Sequence, residues 1–231
     1  MPTSEAFRNF IFTLIVLFVM GVVGMLLKAS YRLPSEMAPI KAIPVAQPVE
    51  TPVAEARAYK SGEFWVLPHP QLIDSRGNEA DTLRIRSGTK EDVFVLYFVD
   101  ALEATWDHPK RITEQAANFN HVPSQKVVDM GKNALAYVKN LLMQRPFKVY
   151  TKWGRVPDTE RFYALVSVEI ESGVTVDLGE MLVRKGYALA NGLPTPAMPS
   201  EMKASADHAK DLQKALTLAK SEHMGLWNLA R

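Results

Sequence analysis

An uncharged apolar segment near the start of the chain sets the first limit on what the chain can fold into. Residues 10–28 contain the run FIFTLIVLFVMGVVGMLL, which carries no charged side chain before Lys28. As a helix this run would rise about 27 Å, close to the roughly 30 Å hydrocarbon core of a bilayer. A cleavable signal peptide has a shorter apolar stretch followed by a small-residue cleavage site, whereas this run continues into Lys28 and Arg32. The segment therefore predicts one transmembrane helix over residues 10–28, after a short tail over residues 1–9.

The next segment, residues 29–58, predicts an extended linker. Five prolines recur there among small residues: Pro34, Pro39, Pro44, Pro48 and Pro52. Proline fixes the backbone φ angle and removes an N–H donor, which favours polyproline-like backbone and disfavours a packed core. The prediction is a tether that leaves residues 59–231 as one folded domain.

The overall composition is that of a globular protein without a strong charge bias. Of the 231 residues, 47% are hydrophobic, which is enough for one sizeable core. The formal net charge of +2 allows a nucleic-acid partner, but it lacks the dense basic field of a dedicated nucleic-acid binder. The chain has no cysteine, which excludes a disulfide framework, a zinc ribbon and a thiol nucleophile.

Two β-type runs predict a hairpin with acidic residues at its open end. DTLRIR begins at Asp81, and DVFVLYFVD ends at Asp100, with a Ser-Gly-Thr-Lys turn between them. The two aspartates are about equally far from a centre near Lys90, so antiparallel pairing predicts that their carboxylates are neighbours. Glu103 follows closely. Acidic residues are depleted in strands and costly to bury unpaired, so this set indicates oxygen ligands for a divalent cation, with solvated strand ends as the alternative.

Further helices and strands are predicted beyond this hairpin. Ser124 is expected to cap a helix whose apolar stripe begins at Val127. Strands are predicted over FKVYTKW, RFYALVSVEI and VTVDL, and a helix over LGEMLVRK is predicted to end at Gly186. A last helix is expected within residues 200–223, followed by Trp227 packed into the core.

A polar insertion over residues 106–127 separates the acidic run from the first long helix. It contains a predicted helical fragment around EQAANF. His108 and His121 lie in it and are candidate metal ligands, although isolated histidines in polar loops usually have no such role.

From about residue 80 to its end, the chain resembles the staphylococcal nuclease, or thermonuclease-like, family. The resemblance is carried, in the family's order, by DTLRIR, YFVDALEAT, MGKNALAYVKNLL, ERFYALVSVEI, GEMLVRKGYALANG and KSEHMGLWN. No single segment is specific, but six of them in this order are. The resemblance implies an α+β fold for residues 59–231, namely a five-stranded OB-fold β-barrel with flanking helices.

The resemblance also implies roles for individual residues. In the family, two aspartates and a glutamate gather calcium and the attacking water, and two arginines hold the phosphate. Asp81 and Asp100 fall on the metal-binding aspartates, and Ala101 falls on a residue that offers a backbone carbonyl to the metal. Glu103 falls on the carboxylate that orients or deprotonates water, and Arg161 falls on one of the two arginines. Ca²⁺ is thus the implied cofactor.

Several positions depart from the family pattern. Val95 replaces the second arginine, and loss of one transition-state donor typically lowers the rate by a factor of about 100 to 1000. Leu102 replaces the usual proline before the glutamate, and Glu79 begins a Glu-Ala pair where Asp-Gly is common. Asp158 begins an Asp-Thr pair where Lys-Tyr would help to grip a nucleotide. Each change weakens the predicted binding of phosphate.

These residues leave two main functions open. The first is a membrane-anchored, calcium-dependent phosphodiesterase that acts weakly on DNA or RNA. The second is a catalytically degenerate nuclease-like OB domain that serves as a membrane-tethered module for binding nucleic acid or protein. A third interpretation is that Asp81 and Asp100 hold calcium for structural reasons. The predicted partners are therefore the membrane, single-stranded DNA or RNA, and a protein.

The predicted localisation is a single-pass membrane protein. Arg8 precedes the apolar segment, while Lys28, Arg32 and Lys41 follow it, which slightly favours a cytoplasmic domain. Many members of the resembled family act outside the cytoplasm, which favours the opposite orientation. Both orientations stay open.

Overall fold

The computed structural model describes residues 58–230, which all belong to one compact unit. The predicted tail, the predicted transmembrane helix over residues 10–28 and nearly all of the predicted linker lie outside the described residues. Within residues 58–230, no helix is both long enough and apolar enough to cross a membrane.

The described residues form a mixed α+β fold of ten strands and four α-helices. The strands are β1 (Tyr59–Ser61), β2 (Phe64–Val66), β3 (Gln71–Leu72), β4 (Thr82–Ser87), β5 (Lys90–Leu96), β6 (Asp100–Ala101), β7 (Phe147–Arg155), β8 (Phe162–Glu171), β9 (Val174–Asp177) and β10 (Ala188–Leu189). The helices are α1 (Pro109–Asn118), α2 (Ser124–Gln144), α3 (Leu178–Arg184) and α4 (Ser205–Ser221), followed by a 3₁₀ helix (Gly225–Asn228).

Eight strands form one sheet, in the order β1-β2-β7-β8-β5-β4-β3, with β9 also paired to β8. The pairing of β5 with β8 is parallel, and the other pairs are antiparallel. The family resemblance implied a barrel of five strands, and the sequence also indicated short strands over residues 63–67 and 71–74. These two are present as β2 and β3, and with β1 they extend this sheet at its two ends. The remaining two strands, β6 and β10, pair only with each other and hold Asp100 apart from the main sheet.

The predicted hairpin is present as β4 and β5. Thr82 pairs with Val95, and Ser87 pairs with Lys90, so the turn is made by the two residues Gly88 and Thr89. Gly88 has a φ of 60°, a left-handed conformation that glycine adopts without steric cost. The apolar residues of the two strands face the core, where Leu83, Ile85, Phe94 and Leu96 are all buried.

Helix α2 crosses the core with an apolar stripe that has the period of an α-helix. Its buried residues are Val127, Val128, Gly131, Ala134, Val138 and Leu142. Ser124 is the first residue of this helix and Pro123 is its N-cap, so the predicted capping by Ser124 is not what the structure has. The helix predicted over LGEMLVRK is α3, and Gly186 follows it with a φ of 67°.

A second apolar cluster lies under helix α1. It joins Leu102 to Ile112, Phe119 and the 3₁₀ helix. Trp227 is 6% exposed, and its ring centroid lies 4.1 Å from that of Phe119. The polar insertion of the sequence is therefore a packed part of the fold, and its helix α1 is fixed beside the acidic run.

Candidate catalytic and metal-binding site

The structure brings Asp81 next to the segment that holds Asp100 and Glu103. Asp81 immediately precedes β4, and its Oδ2 accepts a hydrogen bond from the backbone N–H of Ala101 at 2.7 Å. Its Oδ1 accepts a second hydrogen bond from the hydroxyl of Thr82 at 3.1 Å. Asp81 is 5% exposed, so its carboxylate is held in a buried and largely satisfied position.

The route by which Asp100 reaches Asp81 differs from the predicted one. The N–H of Leu96, not that of Asp100, donates to the carbonyl of Asp81 at the end of the hairpin. After Leu96 the chain leaves the hairpin, and Phe98 takes a left-handed φ of 67°. After this bend the chain passes the start of β4, where Asp81 lies. The two aspartates are neighbours because of the bend, and the predicted symmetry about Lys90 is wrong.

Arg111 is a functional candidate that the sequence analysis missed. Its Nη2 lies 2.7 Å from Oδ1 of Asp100, and its Nε lies 2.8 Å from Oε1 of Glu103. The side chain of Glu103 is fully buried, whereas that of Arg111 is 46% exposed. One guanidinium therefore joins two of the predicted site carboxylates and still reaches solvent.

Gln115 fixes the same segment from the next turn of helix α1. Its Nε2 donates to the carbonyl of Ala101 at 2.7 Å, and its Oε1 accepts from the N–H of Glu103 at 3.0 Å. It is 2% exposed. Arg111 and Gln115 are four residues apart, a spacing that puts both side chains on one helix face. The spacing alone does not identify them in the sequence, because it does not show which face of the helix docks against the acidic segment.

Helix α2 supports Glu103 from the other side through a close backbone contact. A Cβ placed on Gly131 would lie 2.1 Å from the carbonyl oxygen of Glu103 and 2.7 Å from that of Leu102. Only glycine allows the helix to approach this closely. The backbone that carries Glu103 is therefore clamped between helix α1 and helix α2.

Glu79 and His108 complete the group around Glu103. One potential ligand atom from each of Glu79, Glu103 and His108 lies within 4.8 Å of those of the other two. Glu79 is partly buried, and His108 is exposed at the start of helix α1. In the sequence, Glu79 stands out only as a departure from the family pattern, and His108 only as a candidate ligand without a partner.

Three residues of this site, Asp81, Glu103 and Glu79, have carboxyl groups with raised pKa values. Burial raises the pKa of Asp81 to about 6, although its hydrogen bond from Ala101 acts in the opposite direction. Burial also raises the pKa of Glu103, and the Arg111 guanidinium only partly offsets that effect. The pKa of Glu79 is raised by burial and then by the negative charge of Glu103. With Asp100 included, four carboxyl groups lie around one guanidinium, so acidic groups outnumber this basic group at the site.

Arg161 and Val95 do not form part of this cluster. Arg161 precedes β8, and its side chain has no hydrogen bond or ion pair with another residue in the described range. Val95 is half-buried in β5, between Thr82 on one side and Tyr163 on the other. The guanidinium that meets the carboxylates comes from helix α1 and from neither of the positions that the family resemblance indicated.

The predicted calcium ligands already accept hydrogen bonds from protein donors, and the calcium site stays a prediction. Calcium requires six to eight oxygen ligands. Both oxygens of Asp81 accept hydrogen bonds from the protein, and the carbonyl of Ala101 accepts one from Gln115. Oδ1 of Asp100 faces Arg111 and Gln115. Each of these oxygens has a further lone pair, so the group that competes with a calcium ion at Asp100 is the positively charged guanidinium of Arg111.

The comparisons with known proteins add no related protein to this description of the site. No protein-family model matches the chain, and no curated protein sequence matches it at a significant level.

Proposed function

We propose that residues 59–231 form a thermonuclease-like OB-fold domain that hydrolyses phosphodiester bonds of DNA or RNA with low turnover, and that residues 10–28 hold it at a membrane. The observation that carries this proposal is the double ion pair of Arg111 with Asp100 and Glu103. It joins a buried carboxylate to a solvent-accessible guanidinium, and these are the two groups that attack of water on a phosphodiester requires.

The chemical roles follow from the exposure of each group. Arg111 has five N–H donors, of which two are directed to Asp100 and Glu103, so other N–H groups can meet the oxygens of a phosphate. Glu103 is the general base. In the reaction the water oxygen forms a bond to phosphorus, and Glu103 takes one proton from that water. The phosphorus–oxygen bond to the leaving group breaks, and the leaving alkoxide takes a proton from solvent.

The OB-barrel part of the proposal is supported by the strands of the main sheet that remain when β1, β2 and β3 are left out. These are β4, β5, β7, β8 and β9, the number of strands that an OB fold has. A mixed sheet with one parallel pair, β5 with β8, is compatible with such a barrel. The proposed site lies at the start of β4, beside the last residues of β5.

A second candidate function is a catalytically degenerate module that binds nucleic acid or a protein. It is favoured by Val95, which leaves one of the expected arginine positions without a charge. The engagement of Asp100 and Glu103 by Arg111 also favours it, because a guanidinium already neutralises part of the charge that would bind a metal.

Cleavage of single-stranded DNA and RNA by the full-length chain tests the proposal. The reactions are run with added divalent cations and with a chelator, beside Glu103→Gln and the control Glu114→Gln. Glu114 is exposed on helix α1, and within the described residues its one ion pair is with Lys110, at 3.9 Å. We expect Glu103→Gln to lower the cleavage rate by at least about 100-fold, since a general base contributes a factor of about 100 to 10,000. The control should cleave as the wild type does.

No cleavage by a folded wild-type chain would remove the enzyme from consideration and favour the binding module. Fluorescence anisotropy with labelled single-stranded DNA and RNA would then measure binding directly. Cleavage that Glu103→Gln leaves unchanged would place the reaction elsewhere on the protein or in a contaminant.

A further inference from the structure

We propose that Glu79, Glu103 and His108 bind a divalent transition-metal ion, of which Mn²⁺ and Zn²⁺ fit best. This metal site differs from the calcium ligands that the family resemblance implies, because it includes neither Asp81 nor Asp100. With the ion bound, Glu103 would be a ligand and no longer the general base, and the metal would activate the attacking water. This role of the metal rests on the proposed function, whereas binding itself can be measured without it.

The distances between the three groups suit one ion. Their potential ligand atoms lie within 4.8 Å of one another. Two ligands at about 2.1 Å on opposite sides of a metal are about 4.2 Å apart, so small side-chain rotations bring all three atoms into range. The three residues come from different places in the fold: Glu79 precedes β4, Glu103 follows β6, and His108 begins helix α1.

The carboxylate of Glu103 is the independent sign of a missing ligand. Glu103 is 1% exposed, and in the described part of the chain neither of its carboxylate oxygens has a hydrogen bond of good geometry. Oε1 has the ion pair with Arg111, and the carboxyl group of Glu79 lies close enough to interact directly with that of Glu103. A buried carboxylate oxygen without a donor costs free energy, and a bound cation would remove that cost.

The ligand types select the metal. Imidazole nitrogen is a common ligand of zinc and other first-row transition metals, whereas calcium and magnesium prefer oxygen throughout. Two carboxylates and one histidine therefore favour Mn²⁺ or Zn²⁺ over Ca²⁺. Three protein ligands also leave room for a water molecule, as catalytic zinc sites do.

The surroundings of the three residues are compatible with a doubly charged ion. The carboxylates of Glu79, Asp81, Asp100 and Glu103 outnumber the single guanidinium of Arg111. Arg111 contacts Oε1 of Glu103 and thereby orients this carboxylate from outside, a role that is typical of residues next to a metal ligand. His108 precedes Pro109, which restricts its backbone and limits the positions that its ring can take.

Metal titration of the full-length chain, prepared without a polyhistidine tag, tests this inference. Mn²⁺ binding is followed by the loss of the free-ion signal in electron paramagnetic resonance, and Zn²⁺ binding by calorimetry. The variants are His108→Asn and Glu79→Gln, with His121→Asn as the matched control. His121 is an exposed histidine in the same insertion with a left-handed φ of 57°, which asparagine tolerates.

We expect the wild type to bind one ion per chain, and each site variant to bind it at least about tenfold more weakly. His121→Asn should bind as the wild type does, and Ca²⁺ at the same concentration should not compete. Absence of Mn²⁺ and Zn²⁺ binding, or binding that His108→Asn and Glu79→Gln leave unchanged, would overturn the inference. So would binding of Ca²⁺ that depends on Asp81 but not on His108.

Failure of this inference is distinguishable from failure of the proposed function. Metal binding that depends on His108 in a chain without nuclease activity would support the metal site and contradict the enzyme. Cleavage that depends on Glu103 in a chain that binds neither Mn²⁺ nor Zn²⁺ would support the enzyme and overturn the metal site.

Discussion

Asp177 and Glu103 are both acidic residues buried in the fold, and they differ in what surrounds their oxygens. Asp177 is the N-cap of helix α3, and its side chain accepts a hydrogen bond from the N–H of Glu180 at 2.9 Å. The buried ring of His208 lies beside it, with Nε2 at 3.8 Å. Glu103 has no such backbone donor in the described residues and meets a guanidinium, a second carboxyl group and an imidazole.

The difference separates an acid whose side chain accepts a backbone hydrogen bond from one that meets only side chains. Asp81 belongs with Asp177, because burial raises the pKa of each to about 6 while each accepts a hydrogen bond from the backbone. A raised pKa therefore does not by itself mark a reactive carboxyl group in this protein. What marks Glu103 is that its buried oxygens have no backbone donor in the described residues, while its backbone is held firmly in place.

The strongest test of this comparison disturbs the close contact of helix α2 with the backbone of Glu103. Gly131→Ala would place a methyl group against the carbonyl of Glu103, where the available distance is 2.1 Å. Overpacking costs about 1 to 3 kcal/mol or more, and the better helix propensity of alanine returns about 1 kcal/mol. We expect the free energy of unfolding to fall by about 2 kcal/mol or more, measured by urea denaturation.

The matched control for that change is Gly77→Ala. A Cβ on Gly77 would meet no atom within 4 Å, and its backbone is not left-handed. This variant should keep the stability of the wild type. Equal stability of the two variants would mean that helix α2 does not clamp the Glu103 segment.

A smaller loss of stability is expected when the guanidinium is removed. Arg111→Gln leaves Glu103 buried beside other carboxyl groups without its cation. Breaking a fully buried ion pair costs about 3 to 5 kcal/mol, and the exposure of Arg111 lowers our expectation to about 2 kcal/mol. Urea denaturation at pH 7 measures the change.

Arg86→Gln is the control for the loss of Arg111. It breaks a surface pair with Glu91, and such pairs contribute about 0 to 1 kcal/mol. If the two arginine variants lose the same small amount, the Arg111 pairs are no more important than an ordinary surface contact.

Another expected effect is a change in pH dependence shared by Asp81 and Asp177. Burial raises the pKa of each to about 6, above an unfolded value of about 3.9, so the folded state holds these protons more tightly. The stabilisation that protonation gives is complete below about pH 4 and is lost as the pH rises through about 6. Asp81→Asn and Asp177→Asn should each become more stable relative to the wild type over that range, in urea denaturation with a chelator present.

The two variants should follow the same course if Asp81 is a structural acid like Asp177. A relative stability that stays constant from pH 4 to pH 7 in Asp81→Asn alone would show that the two residues differ.

The sequence was sufficient for the parts of the fold that depend on local pattern. The hairpin of β4 and β5, the strands β7 and β8, and the stripe of helix α2 follow from alternation and helical period. The short strands β6 and β10 could not be placed, because their pairing depends on a bend at Phe98 and on residues far along the chain. The path of Asp100 was predicted wrongly for this reason.

Within the candidate site, the sequence identified Asp81, Asp100 and Glu103 but not the cation that joins two of them. Arg111 lies in a polar segment that resembles a surface insertion, and only the docking of Ile112 and the rest of the apolar face of helix α1 turns it inward. Docking of this kind depends on shape complementarity in three dimensions, which has no local signature. The roles predicted for Asp81, Glu103 and Arg161 stay predictions.

The pairing of β6 with β10 bears on the order in which the molecule folds. Ala101 pairs with Ala188, and the N–H of Leu102 donates to the carbonyl of Tyr187, whereas the hairpin of β4 and β5 closes over a two-residue turn. Contacts between distant residues close larger loops and so tend to form after local ones. A chain still emerging from the ribosome can therefore have the hairpin before β6 has its partner strand β10.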